Sequence, residues 1–238
     1  MPRRFAALAL FLVFAFAFPA GAGAHSVVRH GAPNHRITRS TSTNWAGYSA
    51  TGGTFTSVSA TWKQPAATCT SATAYSSFWV GLDGDGTNTV EQIGTDADCS
   101  GGKAVYYAWY EMYPKFPVNL SLTINPGDTV SAKVTTDGNG TFTLSIRDTT
   151  TGGSFTTTQK LKHAKLGSAE VIAEAPSSGG VLPLANFGSV GFSAATVNGQ
   201  PIGSFNPDRI DMVSGTTTKA TTSALSGGTA FSVKWNHA

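Results

Sequence analysis

From about residue 44 onward, apolar and polar residues alternate. Val118, Leu120, Leu122 and Ile124 are separated by polar positions, as are Val130, Ala132 and Val134, and Phe142, Leu144 and Ile146. A period of two places one set on each face of an extended chain, the pattern of a half-buried strand. The turn signals Asn125-Pro126-Gly127-Asp128, Asp137-Gly138-Asn139-Gly140 and Thr151-Gly152-Gly153 separate these runs, which predicts antiparallel pairing of neighbours. Further strand-like runs lie near 44–50, 54–63, 76–83, 88–94, 103–113, 168–174, 188–197, 208–213 and 229–235. A dozen or more strands suit two packed sheets better than one. No linker or repeat divides residues 44–238, so the expectation is an all-β chain with a single β-sandwich domain.

Composition agrees. Charged residues make up 12% of the 238-residue chain, whereas Thr (32) and Ser (24) are abundant, so hydroxyls supply much of the polarity. With 40% hydrophobic residues the chain has enough apolar surface to fold.

The N-terminus has a different character. Met1 to Arg4 are basic, Phe5 to Phe18 are apolar, and Ala22-Gly23-Ala24 is a small-residue cleavage pattern. Residues 1–24 are expected to be a secretory signal, since the apolar run is too short to span a bilayer. Residues 25–43 form a basic linker or short pro-segment carrying His25, His30, His35, Arg29, Arg36 and Arg39. Two readings of this segment stand open: near neutral pH it lies against a cleft lined with carboxylates, or it is a spacer without effect. From residue 44 onward there are 11 Lys/Arg against 13 Asp/Glu and no basic stripe, which argues against nucleic acid as a partner. After signal cleavage the protein is expected to be secreted, extracellular, monomeric and free of any membrane. Cys69 and Cys99 fit one disulfide in an exported chain, with two free thiols as the alternative. Such a bridge would contribute on the order of 3 to 4 kcal/mol by loop-closure entropy.

Several chemistries are missing from the sequence. It has no H-E-x-x-H, C-x-x-C, G-x-S-x-G, Asp-Thr-Gly or Asp-Ser-Gly, so no metal or cofactor is expected. From residue 44 onward the histidines are His163 and His237, poorly placed for a serine triad. The segment Asp83-Gly84-Asp85-Gly86-Thr87-Asn88 reads as a turn rather than a calcium loop.

Carboxylates inside apolar strands need a reason. Period two aligns Tyr107, Trp109, Glu111 and Tyr113 on one face, Glu170 with Glu174, and Trp79 with Asp83, and it turns Gln92 away from Glu91. An aromatic, acid-lined face suggests a cleft for an extended polymer.

Asn44-Trp45-Ala46-Gly47, Trp79-Val80-Gly81-Leu82-Asp83-Gly84, Glu91-Gln92-Ile93-Gly94, Tyr107-Ala108-Trp109-Tyr110-Glu111-Met112-Tyr113-Pro114 and Ala169-Glu170-Val171-Ile172-Ala173-Glu174-Ala175-Pro176 follow in order. This series resembles the glutamic peptidase (eqolisin) family, from about residue 44 to the C-terminus. The resemblance implies a concanavalin-like β-sandwich of two bent antiparallel sheets and an acid endopeptidase acting on polypeptide substrates. It implies a catalytic dyad of Gln92 and Glu174, with Trp79, Asp83, Trp109, Glu111 and Tyr113 lining or supporting the cleft. Met112 and Tyr107 depart from residues usual or frequent in fungal members. A carboxylate suits acid chemistry because a histidine base would already be protonated. Two rivals share the aromatic face: a glycan-binding sandwich, and a glycoside hydrolase pairing Glu111 with Glu174.

Overall fold

A computed structural model of the chain describes residues 29–30 and 40–238. The expected signal, 1–24, and most of the basic segment, including His25, His35, Arg36 and Arg39, lie outside the described residues.

The strands in chain order are β1 (Thr41–Ser42), β2 (Trp45–Thr51), β3 (Ser57–Lys63), β4 (Ser77–Leu82), β5 (Val90–Ser100) and β6 (Lys103–Tyr113). Next come β7 (Val118–Asn119), β8 (Thr129–Thr136), β9 (Thr141–Asp148), β10 (Ser154–Lys160) and β11 (Ser168–Glu174). The last are β12 (Ser189–Val197), β13 (Gln200–Pro201), β14 (Asp208–Ser214), β15 (Thr217–Thr222) and β16 (Phe231–Trp235). One short 3₁₀ turn, Ile202–Phe205, precedes β14.

Hydrogen bonding runs in the order β10-β9-β8-β3-β12-β16-β15-β14-β2-β11-β4-β5-β6-β7. Strand β14 pairs with β15 on one side and β2 on the other, joining the two sheets of a sandwich. The alternation seen in the sequence becomes the core between them: Val80, Leu82 and Ile93 from one sheet cluster with Val58, Val130, Val134 and Leu144 from the other. The 137–140 and 151–153 turns join antiparallel pairs as expected.

The run 118–124 is not one strand. Val118–Asn119 pairs with β6 and Leu120 adds one backbone N–H to the Ala108 carbonyl; the strand ends there, and Ile124 is buried outside any strand. Strands β10 and β15 escape the apolar pattern because they are mostly Thr, Ser and Lys.

An antiparallel sheet with one wet face shows alternating burial, as β3 does. In β4 and β11, every residue is buried. Their second face is covered by a separate apolar cluster of Trp45, Trp79, Val90, Trp109, Ile172 and Ile210.

Candidate active site

Strand register assembles the site. On the face turned away from the core, Gln92 pairs with Gly81 and Glu111, Gly94 with Trp79 and Trp109, and Asp96 with Ser77 and Tyr107. Strand β11 continues these rows with Glu170 beside Gly81, Ile172 beside Trp79 and Glu174 beside Ser77. Gly94 is required here: a Cβ there would sit 2.6 Å from Trp79 Cβ and 2.3 Å from the Phe78 carbonyl oxygen. Glycine lets the Trp79 indole share this face with Gln92.

Glu174 is buried and oriented by two donors, Trp79 Nε1 at 2.7 Å and Asn44 Nδ2 at 3.1 Å. Gln92 Nε2 donates to Glu111 Oε2 at 3.1 Å and to the backbone carbonyl of His30 at 2.7 Å. Two acceptors on that side fix which end of the amide is nitrogen. The Gln92 amide oxygen Oε1 and the second Glu111 oxygen, Oε1, are buried and have no protein partner. Glu111 is pushed up to about 9, first by burial and then by the charge of Glu174. It therefore stays protonated in acid and at neutrality.

A second group lies beside the first. Tyr107 Oη is 2.7 Å from Asp96 Oδ2 and 2.8 Å from Asp98 Oδ2, and Trp109 Nε1 donates to Asp96 Oδ1 at 2.5 Å. One phenolic hydrogen cannot serve two carboxylates, so one of the acids must itself donate to the phenol oxygen. Burial raises both acids, Asp98 to about 7, and Asp96 is raised further by the charge of Asp98.

Two described residues of the basic segment, Arg29 and His30, lie at the cleft. Arg29 exchanges two backbone hydrogen bonds with Ser177 (2.8 and 2.9 Å), and the His30 N–H donates to Glu111 Oε2 at 3.0 Å. Charge attraction is not the main force for His30, because burial pushes its imidazole down to about 3 and keeps it neutral.

Of the predicted residues, Gln92, Glu111, Glu174, Trp79 and Trp109 share the cleft face, and Tyr113 packs against its aromatic cluster. Asp83 is different. It follows β4 with φ 63°, which breaks the alternation, and its carboxylate accepts the Leu166 and Gly167 N–H groups at 2.9 and 2.8 Å. It anchors the entry to β11. The 83–88 segment is a turn closed by Gly84 N–H to Thr87 Oγ1 at 2.7 Å. Among the described residues no group of three or more His, Cys, Asp or Glu is arranged to hold a metal.

Cys69 and Cys99 are bonded, and Cys99 lies in β5, which continues to Ser100. This extension also explains what the sequence reading missed. Asp96 and Asp98 continue the Gln92 face by period two, and Ser77 follows from the register of β4; His30 carried no periodic signal.

The chain matches the Peptidase A4 family over residues 43–235. It is 31% identical to aspergillopepsin-2 of Aspergillus niger over 141 residues, 53% of this chain and 48% of that protein, so the match spans about half of that relative's length. Its fold is similar to scytalido-glutamic peptidase solved with a peptide-based transition state analog, at TM-score 0.70 and 27% identity, covering 82% of this chain and 98% of the other. It is also similar to SCP-B, an eqolisin solved with the tripeptide Ala-Ile-His, at TM-score 0.66 and 25% identity, covering 82% and 98%. Sandwich, cleft and matched residues define a member of the glutamic peptidases. The chain belongs to the Peptidase A4, or eqolisin, family.

Proposed function

We propose that this protein is an exported, acid-active endopeptidase in which Glu174 is the general base and Gln92 the oxyanion donor. The observation that carries this reading is the 2.7 Å hydrogen bond from Gln92 Nε2 to a peptide carbonyl, that of His30, in the cleft. An amide that already holds a ground-state carbonyl can hold the oxyanion that develops from it, and its donor capacity does not change with pH. Relatives that bind a peptide-based analog and a tripeptide support a peptide as the occupant.

In this scheme Glu174, held by Trp79 and Asn44, takes a proton from water as its oxygen attacks the carbonyl carbon. Gln92 stabilises the tetrahedral oxyanion, and protonated Glu174 returns the proton to the leaving amine. Glu111 positions the Gln92 amide, Trp109 and Tyr113 wall the cleft, and Asp83 fixes the start of β11. In the glycosidase alternative Gln92 is a bystander, and its contact with a peptide carbonyl has no purpose.

The test is casein digestion at acid pH with a pepstatin-type inhibitor present. Gln92→Ala should lose about 10² to 10³-fold and Glu174→Gln about 10² to 10⁴-fold in kcat/KM. Near wild-type digestion by either folded variant would refute the dyad.

A further inference from the structure

Acids and cations are sorted between the two sheets of the sandwich. Strands β4, β5, β6 and β11, which build the cleft, hold Glu91, Asp96, Asp98, Glu111, Glu170 and Glu174 against one cation, Lys103. Strands β3, β8, β9, β10, β12 and β16 of the other sheet hold Lys63, Lys133, Arg147, Lys160 and Lys234 against one acid, the buried Asp148. Asp148 is engaged in its own turn, where it accepts the Thr150 and Thr151 N–H groups at 2.8 and 3.3 Å. None of these five cations lies within 4.0 Å of a carboxylate among the described residues.

Strand register sets two of these cations among hydroxyls on the face turned away from the core. Lys133 on β8 is flanked by Ser145 on β9 and Ser59 on β3, and Arg147 on β9 by Ser131 on β8 and Ser154 on β10. Thr156 and Thr61 continue the two rows outward, so the rows contain no acid and no aromatic residue. Lys133 and Arg147 are diagonal neighbours, about 7 to 8 Å apart along the backbone. Around them the sheet forms an open depression of about 540 Å³, also lined by Ser131, Ser145, Ser154 and Thr156. Surface charge that serves solubility mixes both signs, and a lysine such as Lys160 on edge strand β10 blunts edge pairing. Neither role accounts for two cations on the interior strands β8 and β9 of an acid-free face. The core side of these strands packs Val130, Val134 and Leu144 against Val80 and Ile93, so the depression and Gln92 lie on opposite sides of the molecule.

We propose that this face is a docking surface for an acidic polysaccharide, a chain of sugar hydroxyls bearing carboxylate groups. Charge complementarity names the anion: the planar Arg147 guanidinium takes a carboxylate through two parallel N–H bonds, and Lys133 supplies a second, point-like charge beside it. The hydroxyl rows name the sugar, since each Ser or Thr both donates and accepts and so matches the hydroxyls of a glycan. With no aromatic ring in the rows, nucleic-acid bases find no stacking platform. With no apolar side chain pointing outward from them, nothing enters a lipid surface. Lys63 and Lys160, at the ends of β3 and β10, extend the positive field on either side, which suits a polymer that binds through repeated weak contacts. The amino-acid sequence shows no basic stripe because these four cations come from four separate strands. A polymer held here leaves the cleft free, and the inference stands apart from the peptidase reading.

The experiment titrates the protein with polygalacturonate at about pH 6, where carboxylates are ionised and Lys and Arg are charged. The expected result is binding that weakens as salt rises and that falls by about tenfold or more in Lys133→Ala/Arg147→Ala. Lys103→Ala, which removes a cation from the cleft sheet, should bind as wild type does. Both replaced side chains of the double variant are exposed, so its thermal midpoint should match wild type, and Lys133→Arg/Arg147→Lys should retain most of the binding. Ser131→Ala/Ser145→Ala keeps every charge and should weaken polygalacturonate while leaving poly-D-glutamate, a polycarboxylate without sugar hydroxyls, unaffected. No binding of polygalacturonate, or equal binding by wild type and the Lys133/Arg147 double alanine variant, overturns the docking surface. Poly-D-glutamate or duplex DNA bound as tightly as polygalacturonate overturns the polysaccharide assignment and leaves a surface that reads charge alone.

Discussion

Gln92 and Glu111 face each other directly across β5 and β6, with the amide nitrogen of one donating to a carboxyl oxygen of the other at 3.1 Å. The same Glu111 oxygen also receives the His30 N–H. One neutral acid thereby holds both the oxyanion donor and the peptide that the donor engages.

From this follows a graded response at residue 111. Because Glu111 is pushed up to about 9, the form present in acid is the carboxylic acid, and glutamine is close to it in shape and charge. Glu111→Gln should lower kcat/KM by less than about tenfold, well short of the loss expected for a missing base. Glu111→Ala removes the acceptor and should cost more. A Glu111→Gln variant as inactive as Glu174→Gln would show that Glu111 takes part in proton transfer.

Glu91 supplies a pH-dependent prediction. It points to the core side of β5, both its carboxyl oxygens lack a hydrogen-bond partner, and burial aided by the charge of Asp83 raises it to about 8. Its folded value lies above its ordinary one of 4.5, so the stabilising form is the neutral acid. That contribution is complete below about pH 4.5 and is lost by about 1.4 kcal/mol per unit as pH rises toward 8. Glu111 and Asp98 shift in the same direction. Thermal melts should therefore show wild type losing stability from pH 4 to 8. Glu91→Gln should gain on wild type as pH rises, and parallel curves for the two proteins would count against this account.

The Cys69–Cys99 bridge ties the segment before β4 to the end of β5, the strand that carries Gln92. Closing 30 residues of sequence separation should contribute roughly 3 to 4 kcal/mol. Reduction should lower the urea midpoint accordingly. An unchanged midpoint on full reduction would contradict the structural role.

By itself the sequence determined the class of fold. Alternation over β3, β8 and β9, glycine-rich turns and a low charge content permit only half-buried antiparallel strands, because period two is a local property of the chain. The face shared by Trp109, Glu111 and Tyr113 was legible for the same reason, and the ordered motifs pointed to Gln92 and Glu174. What register between distant strands decides was not legible. Ser77 meets Asp96, Asp96 meets Tyr107, and Glu174 meets Trp79 only because β4, β5, β6 and β11 align in one way. Asp83 left its predicted face through a single positive φ, a backbone choice that alternation does not encode. His30 lay in a segment with no period at all. Its place in the cleft is fixed by groups 47 to 81 residues away in the chain, Ser77, Gln92 and Glu111. Hydrogen bonds and stacking of this kind exist only after the sheet has formed, so the identity of the cleft's occupant belongs to the tertiary structure.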